Sequence, residues 1–291
     1  MRLVNPIGFV RAATKLGVAV PAMNIHTLES LQAIVLAANE LRSPMIIQVS
    51  PGALAHFGLK TAVAIARAQA RDSDVPLALH MDHCQSFEVL CQCLREGFTS
   101  LMVDSSKMDY AANVLVTRRV ADMARCVDVC VEGELGRIGG VEDDLTLDAR
   151  EASMTVPDEA ARYVSQTGID MLAVAIGTAH GVYRGEPELD MPRLSAIREA
   201  VEDNVPLVLH GASGVTPSQL TDAISRGIAK VNIATDLRIP LTEGIERSIT
   251  DNPGECDPRR YMGEGRQLVK LMAMDKIRGF GAVGLADRLR L

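Results

Sequence analysis

Three histidines of this 291-residue chain, His83, His180 and His210, each stand at or a few residues beyond the end of a separate apolar run, two of them within LHMDHC and LVLHGAS. Zinc takes imidazole readily, and a catalytic zinc keeps three protein ligands and a fourth position open to water or substrate. Three imidazoles delivered by three strands meet that requirement, although any one of them alone would read as a hydrogen-bonded core or loop histidine. His80, two residues before Asp82, is placed deeper, as a core group or as support behind a ligand. His26 and His56 have no such company and are not assigned as ligands. Asp82 directly precedes His83, which puts it beside the open coordination position, where a carboxylate can exchange a proton with a bound hydroxyl. The other reading of Asp82 is that it only orients a ligand.

The segment VEGELGRIGGVEDD (131–144) joins a strand end carrying Glu132 and Glu134 to glycines at 136, 139 and 140, followed by Glu142, Asp143 and Asp144. The glycines predict a mobile loop that brings a carboxylate over a substrate. Asp143 and Asp144 read as an acidic surface instead. HGASG (210–214) and NIAT (232–235) carry small residues that expose backbone N–H groups, the chemistry of a phosphate corner. Lys230 shares strand parity with Asn232 and points inward, which leaves two readings open: a Schiff-base lysine, or a packed lysine paired with a neighbouring carboxylate. The first leaves the three histidines unexplained. Cys84, next to His83, reads as a neighbour rather than a ligand.

Such residues need a frame that gathers strand ends. Short β-rich runs occur at 17–23, 44–50, 76–82, 99–104, 127–134, 170–177, 205–211 and 229–235, separated by segments with the 3.6-residue period such as LESLQAIVLAANELR and MPRLSAIREAVED. Strand and helix alternating in this way predict an α/β fold, a closed (β/α)8 TIM barrel spanning 1–291 as one domain with extra C-terminal helices. The barrel adds a test, because functional residues should cluster at the carboxyl ends of strands. Those ends carry Asn24, Ser50, Asp82 with His83, Asp104, Glu132 with Glu134, His180, His210 and Asn232. Aromatic residues make up only 3% of the chain and Trp is absent, so aliphatic side chains must fill the core. A net charge of −7 excludes a broad nucleic-acid surface. No run reaches the roughly 18 apolar residues of a membrane span and no signal-like segment leads the chain, which predicts a cytoplasmic location. The six cysteines lack a paired CxxC arrangement and are expected as reduced thiols.

Taken in order, LHMDHC, VEGELGRIGGVEDD, AIGTAHGVY, LVLHGASG, KVNIAT and DPRRY resemble the class II, metal-dependent ketose-bisphosphate aldolases, from the first strand to the C-terminal helices. Within that family AVPAMNIHTLESLQAI, GGVEDD and AVAIGTAHG are most similar to the tagatose-1,6-bisphosphate aldolase branch, and fructose-1,6-bisphosphate aldolases share most of the pattern. The resemblance implies reversible cleavage of D-tagatose 1,6-bisphosphate to dihydroxyacetone phosphate and D-glyceraldehyde 3-phosphate, with fructose 1,6-bisphosphate as the alternative substrate. It implies Zn2+ on His83, His180 and His210, Glu134 as an alternative metal contact, Asp104 at a second metal position, and a monovalent cation as a second candidate ion. Asp82 would handle the proton of the C4 hydroxyl and Glu142 the proton at C3. Asn24, Ser50, Gly181, Gly211, Ala212, Ser213, Asn232, Ile233, Ala234 and Thr235 would bind the substrate. Arg259, from DPRRY, would meet the distal phosphate, often from a neighbouring chain of a homodimer or homotetramer. A non-catalytic companion subunit accompanies some members, so the rival readings are a non-catalytic phosphosugar-binding barrel and a phosphoketose isomerase. Cys84 and Ser105 depart from the residues most frequent at those positions, without touching a proposed ligand.

Overall fold

In the computed structural model, which describes residues 2–142, 145–147, 153–181, 183, 185–201 and 203–289, each of the eight apolar runs overlaps a strand. In chain order the strands are β1 (Val20–Asn24), β2 (Met45–Val49), β3 (Leu77–Cys84), β4 (Ser100–Val103), β5 (Cys130–Leu135), β6 (Gly139–Glu142), β7 (Leu145–Leu147), β8 (Met171–Val174), β9 (Ala179–His180), β10 (Leu207–Leu209) and β11 (Ile228–Ile233). Between and around them run α1 (Ile7–Leu16), α2 (Leu28–Glu40), α3 (Pro51–Phe57), α4 (Leu59–Asp72), α5 (Phe87–Glu96), α6 (Tyr110–Arg125), α7 (Pro157–Thr167), α8 (Met191–Ala200), α9 (Pro217–Ser225), α10 (Thr235–Asp251), α11 (Pro258–Gly279) and α12 (Leu285–Arg288). Eight of the strands close into a barrel in the order β1-β11-β10-β8-β5-β4-β3-β2, every pairing parallel. This is the expected (β/α)8 architecture in a single domain.

The strands are buried on both faces because helices cover the barrel outside and side chains fill it inside. Helix starts are set locally: Thr27, Ser50, Ser86, Asp109, Asp190 and Thr216 each accept a backbone N–H of the first turn of the helix that follows. Aliphatic packing does not account for the whole interior. Asn24, Gln48, His80 and Ser100 stand in register across four neighbouring strands, all buried, and Glu132 and Lys230 join them inside. The barrel core is therefore apolar between sheet and helices and polar along its axis. At the C-terminal end α11, an additional helix of the kind the sequence predicts, packs along α10 and α2.

A second sheet lies outside the barrel. In it β6 pairs antiparallel with β7 and parallel with β9, so the glycine-rich stretch expected as a mobile loop is in part a strand. Gly140 pairs with His180 at a φ of +102°, and a Cβ there would lie 2.6 Å from the His180 nitrogen. Glycine thus serves close backbone approach here. Asp143 and Asp144 lie outside the described residues, as does the side chain of Glu142. Among the described residues no helix is long and apolar enough to cross a membrane. All six cysteines are free thiols.

Candidate active site

β3 presents Asp82 and His83 consecutively, although neighbours on a regular strand point to opposite faces. The strand departs from that rule at His83, whose φ of +46° lies in the left-handed region, and the β3–β4 register shifts between Met81 and Cys84. The kink lets both side chains serve the barrel mouth. It costs on the order of 1–2 kcal/mol for a residue with a Cβ, strain of the kind held at functional sites. Asp82 is then fixed from two strands: Asn24 Nδ2 donates to its Oδ2 at 2.8 Å and Asn232 Nδ2 to its Oδ1 at 3.3 Å.

One ring nitrogen from each of His83, His180 and His210 lies within 4.8 Å of the others, so the structure brings the three sequence-predicted ligands together. Their backgrounds differ. His83 Nδ1 sits 3.2 Å from Asp104 Oδ2, and His210 Nε2 sits 2.7 Å from Glu132 Oε1. Each carboxylate selects the tautomer that gives it a proton, which leaves His83 Nε2 and His210 Nδ1 facing one another at 2.8 Å. Two lone pairs at that distance repel, which favours a cation, a proton or a metal ion, at the two nitrogens, and Asn232 Nδ2, 3.2 Å from His210 Nδ1, is the other donor in reach. Imidazole backed by carboxylate on its far nitrogen is also the usual way a protein orients a metal ligand. The donor set fits zinc: three imidazole nitrogens, with His180 half-buried.

The surrounding charges are tuned to that preference. Burial works to lower the pKa of His83, but Asp82, Asp104 and Glu134 overcome it and hold the imidazole well above its ordinary range. His210 is lowered, by burial first and then by the charge on His83. Asp104 stays well below the usual carboxylate range against its own burial, through His83 and the two hydrogen bonds from Ser106. Glu132 is likewise held low despite complete burial, by Lys230 and His210. Glu134 goes the other way, to about 8, because burial and the nearby Asp104 charge disfavour its ionised form. Its Oε2 is buried, has no hydrogen-bond partner among the described residues and lies 3.7 Å from His83 Nδ1. His83, Asp104 and Glu134 make a second group with ligand atoms within 4.8 Å, where the sequence placed the alternative metal contacts.

Lys230 Nζ donates to Glu132 Oε2 and to Asn232 Oδ1, each at 2.8 Å. This is the packed, carboxylate-paired lysine, and its ammonium is committed on both sides. His80 is buried with Nδ1 2.7 Å from Ser100 Oγ and lies outside both candidate metal groups. His26 and His56 lie outside the metal groups.

On the far side of His210, Gly211, Ala212 and Ser213 face Asn232, Ile233, Ala234 and Thr235, where β11 runs into α10. α10 starts at Ala234 without a side-chain cap, and Ser213 Oγ accepts the Asp236 N–H at 3.2 Å. A helix start beside a small-residue turn is the place where backbone N–H groups meet an anion. Gly181 follows His180 at a φ of +91°, and Ser50 is buried at the end of β2 as the cap of α3. Arg259 stands apart from this group: it is 89% exposed on the first turn of α11 and pairs with Asp257 at 2.6 Å. Two contributors escaped the sequence reading. Glu132 was visible as a strand-end carboxylate, but its hold on His210 depends on how far across the barrel it reaches. Tyr183, whose Oη bridges the Ala179 N–H and the Gly211 carbonyl, carries no periodic signal at all.

The chain matches the family model for class-II fructose-bisphosphate aldolase over residues 4–285. It is similar to the crystal structure of the YdjI aldolase from Escherichia coli K12, with 32% identity, 98% of this chain and 99% of that one covered, and a TM-score of 0.86. A candidate fructose-1,6-bisphosphate aldolase from Coccidioides immitis is 30% identical over 98% of both chains, with a TM-score of 0.89. The fructose-bisphosphate aldolase of Campylobacter jejuni shares the fold at 22% identity and a TM-score of 0.79, over 94% of this chain and 93% of its own. With a family model spanning the barrel from its first residues to its last helix, this chain belongs to the class-II fructose-bisphosphate aldolase family and is an aldolase.

Proposed function

We propose that this aldolase is zinc-dependent and splits a ketose 1,6-bisphosphate into dihydroxyacetone phosphate and glyceraldehyde 3-phosphate, with D-tagatose 1,6-bisphosphate as its sugar. The observation that carries the metal reading is the pair of imidazole nitrogens, His83 Nε2 and His210 Nδ1, facing at 2.8 Å with buried carboxylates behind both rings. Bound by these rings and His180, Zn2+ would supply a Lewis acid for the charge that builds on the dihydroxyacetone phosphate fragment.

The remaining work belongs to the chain's own groups. Asp82, held by Asn24 and Asn232, takes the proton from the C4 hydroxyl as the C3–C4 bond breaks and its electron pair passes toward C2. Glu142, at the end of β6, returns a proton to C3 of the departing fragment. Gly181, Gly211 to Ser213 and Asn232 to Thr235 hold one phosphate at the start of α10. Ser50 adds a hydroxyl from the end of β2. Arg259 meets the second phosphate from a neighbouring chain, which makes the working form at least a homodimer. Glu134 and Asp104 offer the metal a second resting position.

Chelation should abolish cleavage and added Zn2+ restore it, while borohydride with substrate should leave activity intact, because Lys230 is committed to Glu132 and Asn232. Inactivation by borohydride with indifference to EDTA would overturn the metal reading. Fructose 1,6-bisphosphate is the second reading, favoured by the description of the family model and differing only at C4. The ratio of kcat/KM for the two sugars on one zinc-loaded preparation decides between them.

A further inference from the structure

His180 is the ligand that the barrel itself does not carry. It sits on β9, a two-residue strand of the outer sheet, and something must hold that strand at the distance the other two imidazoles require. Resting on the metal-site reading above, we infer that the phenolic oxygen of Tyr183 is the positioning group that does so, and that it ties the metal ligand to the phosphate corner.

Tyr183 Oη accepts the Ala179 N–H at 2.7 Å and donates to the Gly211 carbonyl at 2.8 Å. One oxygen thereby joins the residue before His180 to the residue after His210. The Tyr183 ring lies against Gly214, where a Cβ would be 3.1 Å from the ring, so its place over the 211–214 turn is fixed by shape as well. Gly211, at a φ of +63°, comes so close to β9 that a Cβ there would meet the Ala179 oxygen at 2.6 Å. On its other side β9 pairs with Gly140. The strand that presents His180 is thus wedged between two glycines and clipped by a single tyrosine. Removal of the clip leaves an N–H and a carbonyl to find other partners, and loosens His180 relative to His210. The same change shifts Gly211, the first backbone group of the phosphate corner.

Supporting groups behind metal ligands are worth roughly 10–100-fold in metal affinity when they are lost. Tyr183→Phe keeps the ring against Gly214 and deletes both hydrogen bonds. In the full-length protein, Zn2+ affinity measured by chelator competition should fall by about 10-fold or more. The visible spectrum of the Co2+-substituted variant should change in band position or intensity, and the KM for the phosphosugar should rise along with the loss in metal affinity. The melting temperature of the metal-free variant should stay within a few degrees of the parent. A Zn2+ affinity within twofold of the parent with an unchanged Co2+ spectrum would overturn the inference. A metal-free variant destabilised as much as the loaded one would do the same, by showing a general structural role. Gly211→Ala is the second probe: it keeps Tyr183 but pushes against Ala179, and it should weaken Zn2+ binding in the same direction. If the parent chain binds no Zn2+, or binds it equally well without His180, the metal-site reading itself falls, and that result is separate from a null effect of Tyr183→Phe.

Discussion

Asp82 and His83 are chain neighbours with different chemical duties, and their separate effects can be read in one experiment. Asp82→Ala removes the group proposed to take the C4 hydroxyl proton but none of the proposed ligands, so turnover should drop by about 10²–10⁴-fold while bound zinc, measured by atomic absorption, stays near one per chain. Loss of the zinc instead would make Asp82 a structural support. The facing imidazoles give a second prediction. In the metal-free protein His83 holds a proton well above its ordinary range, so loading Zn2+ near pH 7 should expel about one proton per site. Calorimetry in buffers of different ionisation enthalpy reads that number, and metal affinity should weaken as pH falls. Stability of the metal-free fold follows with a definite sign. Between about pH 6.5 and 8 the folded chain keeps protons on His83 and Glu134 that the unfolded chain has released, so it binds more protons and its stability falls as pH rises. Glu134→Gln should flatten part of that slope in thermal melts.

At the scale of the elements, the barrel interior pairs buried charges across strands. Lys230 of β11 and Glu132 of β5 meet with both side chains fully buried, and Glu132 also orients His210 of the turn after β10. Lys230→Met would leave that carboxylate without its main partner and should destabilise the protein by about 3–5 kcal/mol, measured by urea unfolding of the metal-free chain. The sequence showed much of this frame. The eight barrel strands are legible because each is a short aliphatic run bounded by helical periodicity, and a closed parallel barrel follows from eight such alternations. His83 and His210 are legible at strand ends for the same reason. β6, β7 and β9 are not: a glycine-rich stretch and a two-residue strand have no hydrophobic period, and their pairing exists only once β9 has been carried to β6. The kink at His83 was equally hidden, because strand parity forbids what a positive φ allows. The bridge made by Tyr183 depends on a contact 28 residues away in the chain, which no local pattern encodes.

For the whole molecule, the exposed Arg259 sets the test of assembly. If it serves a neighbouring chain's site, Arg259→Ala and Asp82→Ala chains, each nearly inactive alone, should recover activity when mixed and reassembled. Random pairing into dimers would give about a quarter of parental activity, from the one intact site in each mixed dimer. No recovery after verified exchange of chains would place Arg259 outside its neighbour's site. The division of the proposed ligands between two sheets also bears on how the molecule is built. His83 and His210, both carried by the barrel, face one another at 2.8 Å. The third imidazole comes with a separate sheet, on β9. If His180 binds metal as proposed, capture of the ion ties this outer sheet to the barrel, and protection of the outer strands from amide exchange or proteolysis should rise when Zn2+ is added.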